Sequence, residues 1–166
     1  MPNEVQFAGT KAEVCQRAKA IRSQYFKDKM SVNDFLSSIM DENNGNVQYS
    51  DTVERGETLK VNADGSFVIY LSNATSQLRD NFTIAHELGH YFLHTDIKAP
   101  GDCIHTRRGS NRKEWEANWF AAELLMPAEE FTAAAKEHNN NAYRLATLFE
   151  VSPSAAMVRL TALNLD

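Results

Sequence analysis

Residues 82–94 read FTIAHELGHYFLH and contain two histidines four positions apart, with a glutamate directly after the first. The pattern of apolar residues predicts a helix over about 82–93, in which His86 and His90 lie on the same face, one turn apart. Two imidazoles in this arrangement can bind one metal ion, and Glu87 is placed to take a proton from water. The HExxH spacing therefore predicts a zinc site that lowers the pKa of water toward neutrality.

The two histidines also have a simpler interpretation, because three fixed positions can occur together by chance. They would then be ordinary, partly buried side chains of an amphipathic helix. However, this helix is apolar nearly all round, so it is expected to be buried, and buried histidines beside a carboxylate need polar partners. Gly89 costs about 1 kcal/mol in a helix interior and suits a close approach of another backbone. Both observations favour the metal site.

A second helix is predicted over 113–126, and its segment EWEANWFAAELLMP, residues 114–127, offers a further ligand. Glu114 and Glu116 stand there among apolar and small residues. Two histidines with one glutamate are the ligand set of zinc peptidases such as thermolysin. The alternative is that both glutamates are favourable negative charges at the start of a helix. Both interpretations can hold together, with one glutamate as a metal ligand and the other as a favourable charge at the start of the helix.

The segments 82–94 and 114–127, in this order and separated by a polar loop, resemble the ImmA/IrrE family of metallopeptidases. The resemblance extends more weakly to Arg79 and to the tail LATLFEVSPSAAMVRLTALNL, and it covers roughly the second half of the chain. It implies a thermolysin-like site with one Zn²⁺ per chain. It also implies that the glutamate after the first histidine is the catalytic residue.

Glu114 is the better candidate for the third ligand. Asn118 lies one turn after it, and in thermolysin-like sites the residue at this position orients a ligand histidine. Ala117 and Ala121 share the stripe of Glu114, and their small side chains would let the helix approach the metal. Glu116 shares its stripe with bulkier residues. We therefore expect Glu114 to complete the site with the two histidines.

The resemblance further implies that the protein cleaves a peptide bond in a protein substrate, typically a helix-turn-helix transcriptional repressor. A different class of function is a regulatory protein whose fold is stabilised by zinc and which inactivates a repressor or antitoxin without cutting it. Glu87 argues against this class, because a structural zinc site needs no base and usually fills its fourth position with protein. A DNA-binding regulator with an appended metal domain is disfavoured by the acidic charge.

Length and composition fit one compact unit. The chain has 166 residues, 43% of them hydrophobic, and a formal net charge of -5. This acidic surface disfavours phosphate backbones, so direct nucleic-acid binding is not expected. The start MPNEVQFAGTKAEV lacks the basic and apolar regions of a secretory signal, no run is long enough to span a bilayer, and only two cysteines occur. The expected location is therefore the cytoplasm.

The succession of elements predicts an α+β fold with helices around a small antiparallel sheet. Amphipathic helices are expected over 11–26 and 32–40, short strands within 46–72, and three further helices after the two that carry the metal motif. LKVNADGSFVIYL is the clearest hairpin. We expect a catalytic unit over 1–127 and a helical C-terminal subdomain over 128–166 packed on it.

Three further residues lie near the metal motif in sequence. His94 is one turn beyond His90 and is interpreted as a neighbour of the metal site rather than a ligand, since three ligands on one helix strain to reach one ion. Cys103 and His105 fall in the predicted loop between the two motif helices. Each is either an inhibitory fourth ligand or an exposed loop residue.

Two other segments are open to functional interpretation. The tail LATLFEVSPSAAMVRL resembles a helix-turn-helix with its turn at 151–153, but its basic residues are only Arg159 and, directly before the stretch, Arg144. Because two cations make few phosphate contacts, we interpret the tail as a packing element or a docking surface for a protein. The strand FVIYLS is either an exposed edge that pairs with an extended substrate or a core strand of the sheet.

Overall fold

The helix with the HExxH sequence packs between a small sheet and a second long helix. The computed structural model describes residues 4–50, 57–96, 102–106 and 111–166. Its helices are α1 (Lys11–Tyr25), α2 (Val32–Glu42), α3 (Gln77–His94), α4 (Arg112–Leu125), α5 (Ala128–Glu137), α6 (Ala142–Phe149) and α7 (Pro153–Ala162). Its strands are β1 (Gly45–Tyr49), β2 (Glu57–Val61), β3 (Phe67–Leu71) and β4 (Cys103–Thr106).

The strands form one mixed sheet in the order β1-β3-β2-β4. β2 and β3 form the predicted hairpin, with Leu59 opposite Ile69 and Val61 opposite Phe67. The α+β class is confirmed, but the sheet is not wholly antiparallel as expected, because β1 pairs in parallel with β3. Alternating apolar residues identify a strand without identifying its neighbour, so the sequence did not reveal this parallel pairing.

β3 is an interior strand, since it lies between β1 and β2. Phe67 and Ile69 on β3 are buried, which confirms the interpretation of FVIYLS as a core strand and excludes its interpretation as an edge. β4 is an edge strand and lies in the segment that the sequence predicts as a loop. Although β4 is only four residues long, its buried and exposed residues alternate, and the side chains of Cys103 and His105 are the buried ones.

α3 begins before residue 82, where the apolar pattern places its start. Ser76 is the N-cap, and its side chain accepts a hydrogen bond from the backbone N–H of Arg79. Asp80 is buried in the first turns of the helix, where it accepts a hydrogen bond from the Tyr49 hydroxyl at 3.2 Å. These turns are rich in polar residues, so apolar periodicity alone does not detect them.

α3 and α4 pack closely at Gly89. A Cβ atom at this position would lie 3.1 Å from Ala117 Cα and 3.3 Å from both Ala117 O and Phe120 Cβ. These distances are shorter than ordinary van der Waals contacts, and the nearest atoms belong to a backbone that cannot rotate away. The close approach predicted from Gly89 is therefore confirmed. It places the two segments of the metal motif on facing surfaces.

The C-terminal helices pack back onto the end of α4. The buried guanidinium of Arg159 on α7 donates to the Glu123 carboxylate at 2.6 Å and to the Met126 carbonyl at 3.0 Å. Because a buried charge needs such partners, this contact holds α7 against α4. The helical appendage thus contacts the rest of the chain, while the boundary between 1–127 and 128–166 stays a prediction.

The helices do not have the character of membrane spans. In the described parts of the chain, no helix combines the length and the apolar composition needed to cross a bilayer. The longest, α3 with 18 residues, carries Asp80, Glu87 and three histidines.

Gly89→Val is expected to destabilise the metal-free protein by about 1–3 kcal/mol, because its methyl groups would meet the Ala117 backbone and force α3 and α4 apart. Gly89→Ala is expected to do less damage, since a gain in helix propensity of about 1 kcal/mol offsets part of the clash. Urea unfolding of both variants measures the difference. A Gly89→Val protein as stable as the wild type would contradict the close contact.

Candidate metal centre

Three side chains from α3 and α4 converge on one point. Glu114 Oε2 lies 3.1 Å from His86 Nε2, and Glu114 Oε1 lies 2.8 Å from His90 Nε2. The candidate ligand atoms of the three residues all lie within 4.8 Å of one another. Both histidines are buried and Glu114 is partly exposed. The structure thus brings together the three residues named from the sequence in a group that could hold a metal ion.

Both imidazoles are held through their second nitrogen. His86 Nδ1 lies 2.8 Å from Asn118 Oδ1, and His90 Nδ1 lies 2.8 Å from His94 Nδ1. An amide oxygen only accepts, so His86 Nδ1 carries a proton and donates it to the hydrogen bond. The Nε2 atom, which faces Glu114, is then the nitrogen that can offer a lone pair to a metal. Asn118 holds a histidine, as its position one turn after Glu114 predicts.

The charges of this group favour a cation between the histidines. Burial alone would raise the pKa of Glu114, but hydrogen bonds from His86 and His90 outweigh it and hold this pKa well below its usual range. Burial opposes the protonation of His86, yet the hydrogen bond to Glu114 and the negative charges of Glu87 and Glu114 leave its pKa raised. Glu87 is itself buried beside His86 on α3. The same negative charges would attract a metal ion.

Glu116 lies behind the three-residue group rather than in it. Its carboxylate is 1% exposed, and its two oxygens lie 3.1 Å from His94 Nε2 and 3.2 Å from Arg112 Nε. The structure therefore places Glu114, and not Glu116, beside the ligand candidates His86 and His90. The stripe of small residues that runs with Glu114 is buried at its two alanines.

His94 is buried and contacts His90, but it does not belong to the group of candidate ligands among the described residues. Burial, followed by the nearby charge of His90, lowers the pKa of His94 to about 4. Its ring is therefore neutral near pH 7. This placement agrees with the interpretation of His94 as a neighbour of the metal site.

Cys103 and His105 are buried, so their interpretation as exposed loop residues is wrong. From β4, His105 Nε2 reaches Thr95 Oγ1 at 3.0 Å and Cys103 Sγ at 3.5 Å. The His105 ring stacks on His90 with ring centres 5.3 Å apart, although neither Cys103 nor His105 joins the candidate ligands. Sequence reasoning left open whether His105 lies near the site and did not predict the strand that holds it there. The available signal was the alternation in CIHT, but four residues are too few to mark a strand clearly.

A cavity of about 910 Å³ opens beside His86 and Glu114. Residues of α1, α3, α4 and α7 line it, and most of the lining is apolar, including Phe82, Trp119 and Val158. One wall of the cavity therefore comes from the tail that resembles a helix-turn-helix.

The tail forms α6 and α7 with the turn between them at 151–153, as expected. The guanidinium of Arg159 is buried in an ion pair with Glu123, so it cannot contact a phosphate. Arg144 is then the basic residue of α6 and α7 that can do so. Several large exposed side chains of the two helices are apolar, among them Leu148 and Met157. This surface offers few contacts to a phosphate backbone.

Two histidines and a glutamate, with a second glutamate directly after the first histidine and a cleft beside them, are the arrangement of HExxH metallopeptidases. A family model described as peptidase M78, IrrE N-terminal-like domain, matches residues 28–161. The chain belongs to this family, which confirms the resemblance seen in the two motifs. Membership supports a function of the metallopeptidase type.

A solved structure of a Mycobacterium tuberculosis transcriptional regulator has a similar fold, with a TM-score of 0.63 and 18% sequence identity. The match covers 90% of this chain and 46% of that one, so the chain spans less than half the length of the regulator. A search of curated proteins finds no match.

Glu114→Ala is expected to lose most of its bound metal during dialysis against a mild chelator, because the removed carboxylate is the one that contacts both histidines. Glu116→Ala, two positions along the same helix, is the comparison variant and is expected to lose less metal, because Glu116 does not contact His86 or His90 directly. Elemental analysis of both variants gives the metal content per chain. A greater loss in Glu116→Ala would transfer the ligand role to Glu116.

Proposed function

We propose that this protein is a zinc-dependent endopeptidase that hydrolyses a peptide bond in a helix-turn-helix transcriptional repressor. The observation that carries the proposal is the convergence of His86, His90 and Glu114, with Glu87 buried on the same helix as the two histidines. Membership of a peptidase family supports the class of reaction. The family resemblance and the fold shared with a transcriptional regulator support a regulator as the partner.

The donor set suits zinc. Two imidazole nitrogens and one carboxylate are ordinary Zn²⁺ ligands, and three protein ligands leave a fourth position open. Asn118 and His94 engage the second nitrogens of the imidazoles, so both rings present Nε2 to Glu114. His86, His90 and Glu114 would hold one Zn²⁺ per chain. Bound zinc would polarise the scissile carbonyl group and make water a better nucleophile near neutral pH.

Glu87 is the proposed general base. Its negative charge is near enough to His86 to raise the pKa of that histidine, and its 1% exposure keeps the carboxylate away from bulk water. Glu87 takes the proton of the attacking water and then delivers it to the nitrogen of the leaving amine. Because one carboxylate acts first as base and then as acid, the two proton transfers need no second side chain.

The cavity beside His86 is the proposed binding site for the substrate chain. At about 910 Å³ it has room for several residues, and its apolar walls suit a segment with apolar side chains. Since α7 forms one wall, the tail would shape substrate specificity rather than read DNA. A transcriptional regulator as substrate places the reaction in the cytoplasm.

Glu87→Gln is expected to keep its zinc and to slow cleavage by about 10²–10⁴-fold, because the substituted amide cannot take a proton from water. The family resemblance implies that the target regulator is often encoded nearby, so the test is co-expression with a helix-turn-helix repressor encoded beside this protein's gene, followed by mass spectrometry of that repressor. The wild type should generate a discrete new fragment that Glu87→Gln does not. Inactivation of the partner by both proteins without a fragment would show binding alone and would refute the endopeptidase.

Ala155→Phe is expected to raise KM several-fold while metal content stays at the wild-type level, because the larger side chain would fill the cavity from its α7 wall. Met157→Phe is the matched control, since Met157 lies on the same helix, is exposed and is not a lining residue. Fragment yield at several substrate concentrations measures the effect. Equal cleavage by both variants would place substrate binding elsewhere.

A further inference from the structure

A chain of four side chains leads from His90 through the contact between α3 and α4 to the surface. His90 Nδ1 lies 2.8 Å from His94 Nδ1, and His94 Nε2 lies 3.1 Å from Glu116 Oε1. The other oxygen, Glu116 Oε2, lies 3.2 Å from Arg112 Nε. The side chains of His94 and Glu116 are at most 1% exposed, whereas that of Arg112 is 57% exposed. The first links are therefore buried and the last reaches solvent.

Metal binding by His90 would determine where the protons lie in this series of hydrogen-bonded side chains. If His90 Nε2 binds the metal, as the proposed function requires, the proton of that ring is on Nδ1, which donates to His94 Nδ1. A neutral His94 that accepts at Nδ1 carries its proton on Nε2, and this N–H donates to Glu116. The carboxylate only accepts, and its second oxygen receives the N–H of Arg112. Each donor in the chain thus meets an acceptor.

We propose that His94, Glu116 and Arg112 form a positioning relay for His90, which fixes its tautomer and orientation and transmits the negative charge of Glu116 to it. The inference rests on the proposed metal site. A ligand histidine whose second N–H is bonded toward a carboxylate becomes more basic and binds its metal more tightly. Burial strengthens these hydrogen bonds, because water does not compete for them.

His86 has a different support. Its Nδ1 donates at 2.8 Å to Asn118, a neutral residue that lines the cavity. His90 is instead supported from the protein interior, where its Nδ1 contacts His94 and His94 in turn contacts the Glu116 carboxylate. Filling of the core alone does not explain this choice, because an apolar residue at the position of Glu116 would fill the same space without burying a charge.

The test is a double-mutant cycle on zinc affinity, measured on the full chain. His94→Asn keeps an amide oxygen that can accept from His90, but its side chain is too short to reach Glu116. Glu116→Gln keeps the shape of the side chain and removes its charge. Each substitution is expected to weaken zinc binding by about 10–100-fold. Because Glu116 acts through His94, Glu116→Gln should cause little further loss in the His94→Asn protein.

Competition with a chelator of known affinity measures zinc binding, and the absorption bands of the cobalt-substituted protein report on the ligands, so both should change in the variants. Unfolding of the metal-free proteins is measured in parallel, since a merely structural role would lower stability alone. Unchanged zinc affinity in both single variants, or additive losses in the double variant, would overturn the relay while leaving the endopeptidase intact. A wild-type chain that binds no zinc would overturn the proposed function, and the relay with it.

Discussion

Because Gly89 has no side chain, α3 and α4 approach until Ala117 Cα lies 3.1 Å from the place that a Cβ atom would take. A glutamate side chain is short, so this backbone separation decides what the carboxylates of α4 can reach. At the observed spacing, Glu114 contacts both Nε2 atoms of the HExxH histidines, and Glu116 meets His94. Wider spacing would lengthen both sets of contacts together, so the geometry of the whole site follows from one tight contact between helices.

The sequence predicts those parts of the site that depend on local spacing. The common face of His86 and His90 and the better placement of Glu114 follow from helical periodicity, and the hairpin of β2 and β3 follows from its turn. The parallel pairing of β1 with β3 depends on segments far apart in the chain, which periodicity does not connect. β4 is too short for its alternation to stand out, so the burial of His105 beside His90 was missed.

Without a metal ion, the charges at the proposed zinc site favour a proton on His86. The raised pKa of His86 and the lowered pKa of Glu114 describe a carboxylate that stays charged and an imidazole that keeps a proton to higher pH than usual. A metal ion bound at His86 would compete with that proton, so its binding would weaken as the pH falls. The same Glu114 carboxylate thus contacts the imidazoles of His86 and His90 and would bind the ion.

Arg159 ties α7 to α4 through a buried ion pair with Glu123, and α7 in turn forms one wall of the cavity. A ribosome makes the chain from its N-terminus, so the residues of α3 and α4 are joined before those of α7. Until α7 is made, Glu123 lacks its cationic partner Arg159, and the cleft beside His86 lacks one wall. A chain without α7 would therefore keep all three proposed ligand residues and lack one wall of the cleft, so the proposed metal site and the substrate cleft depend on different parts of the chain.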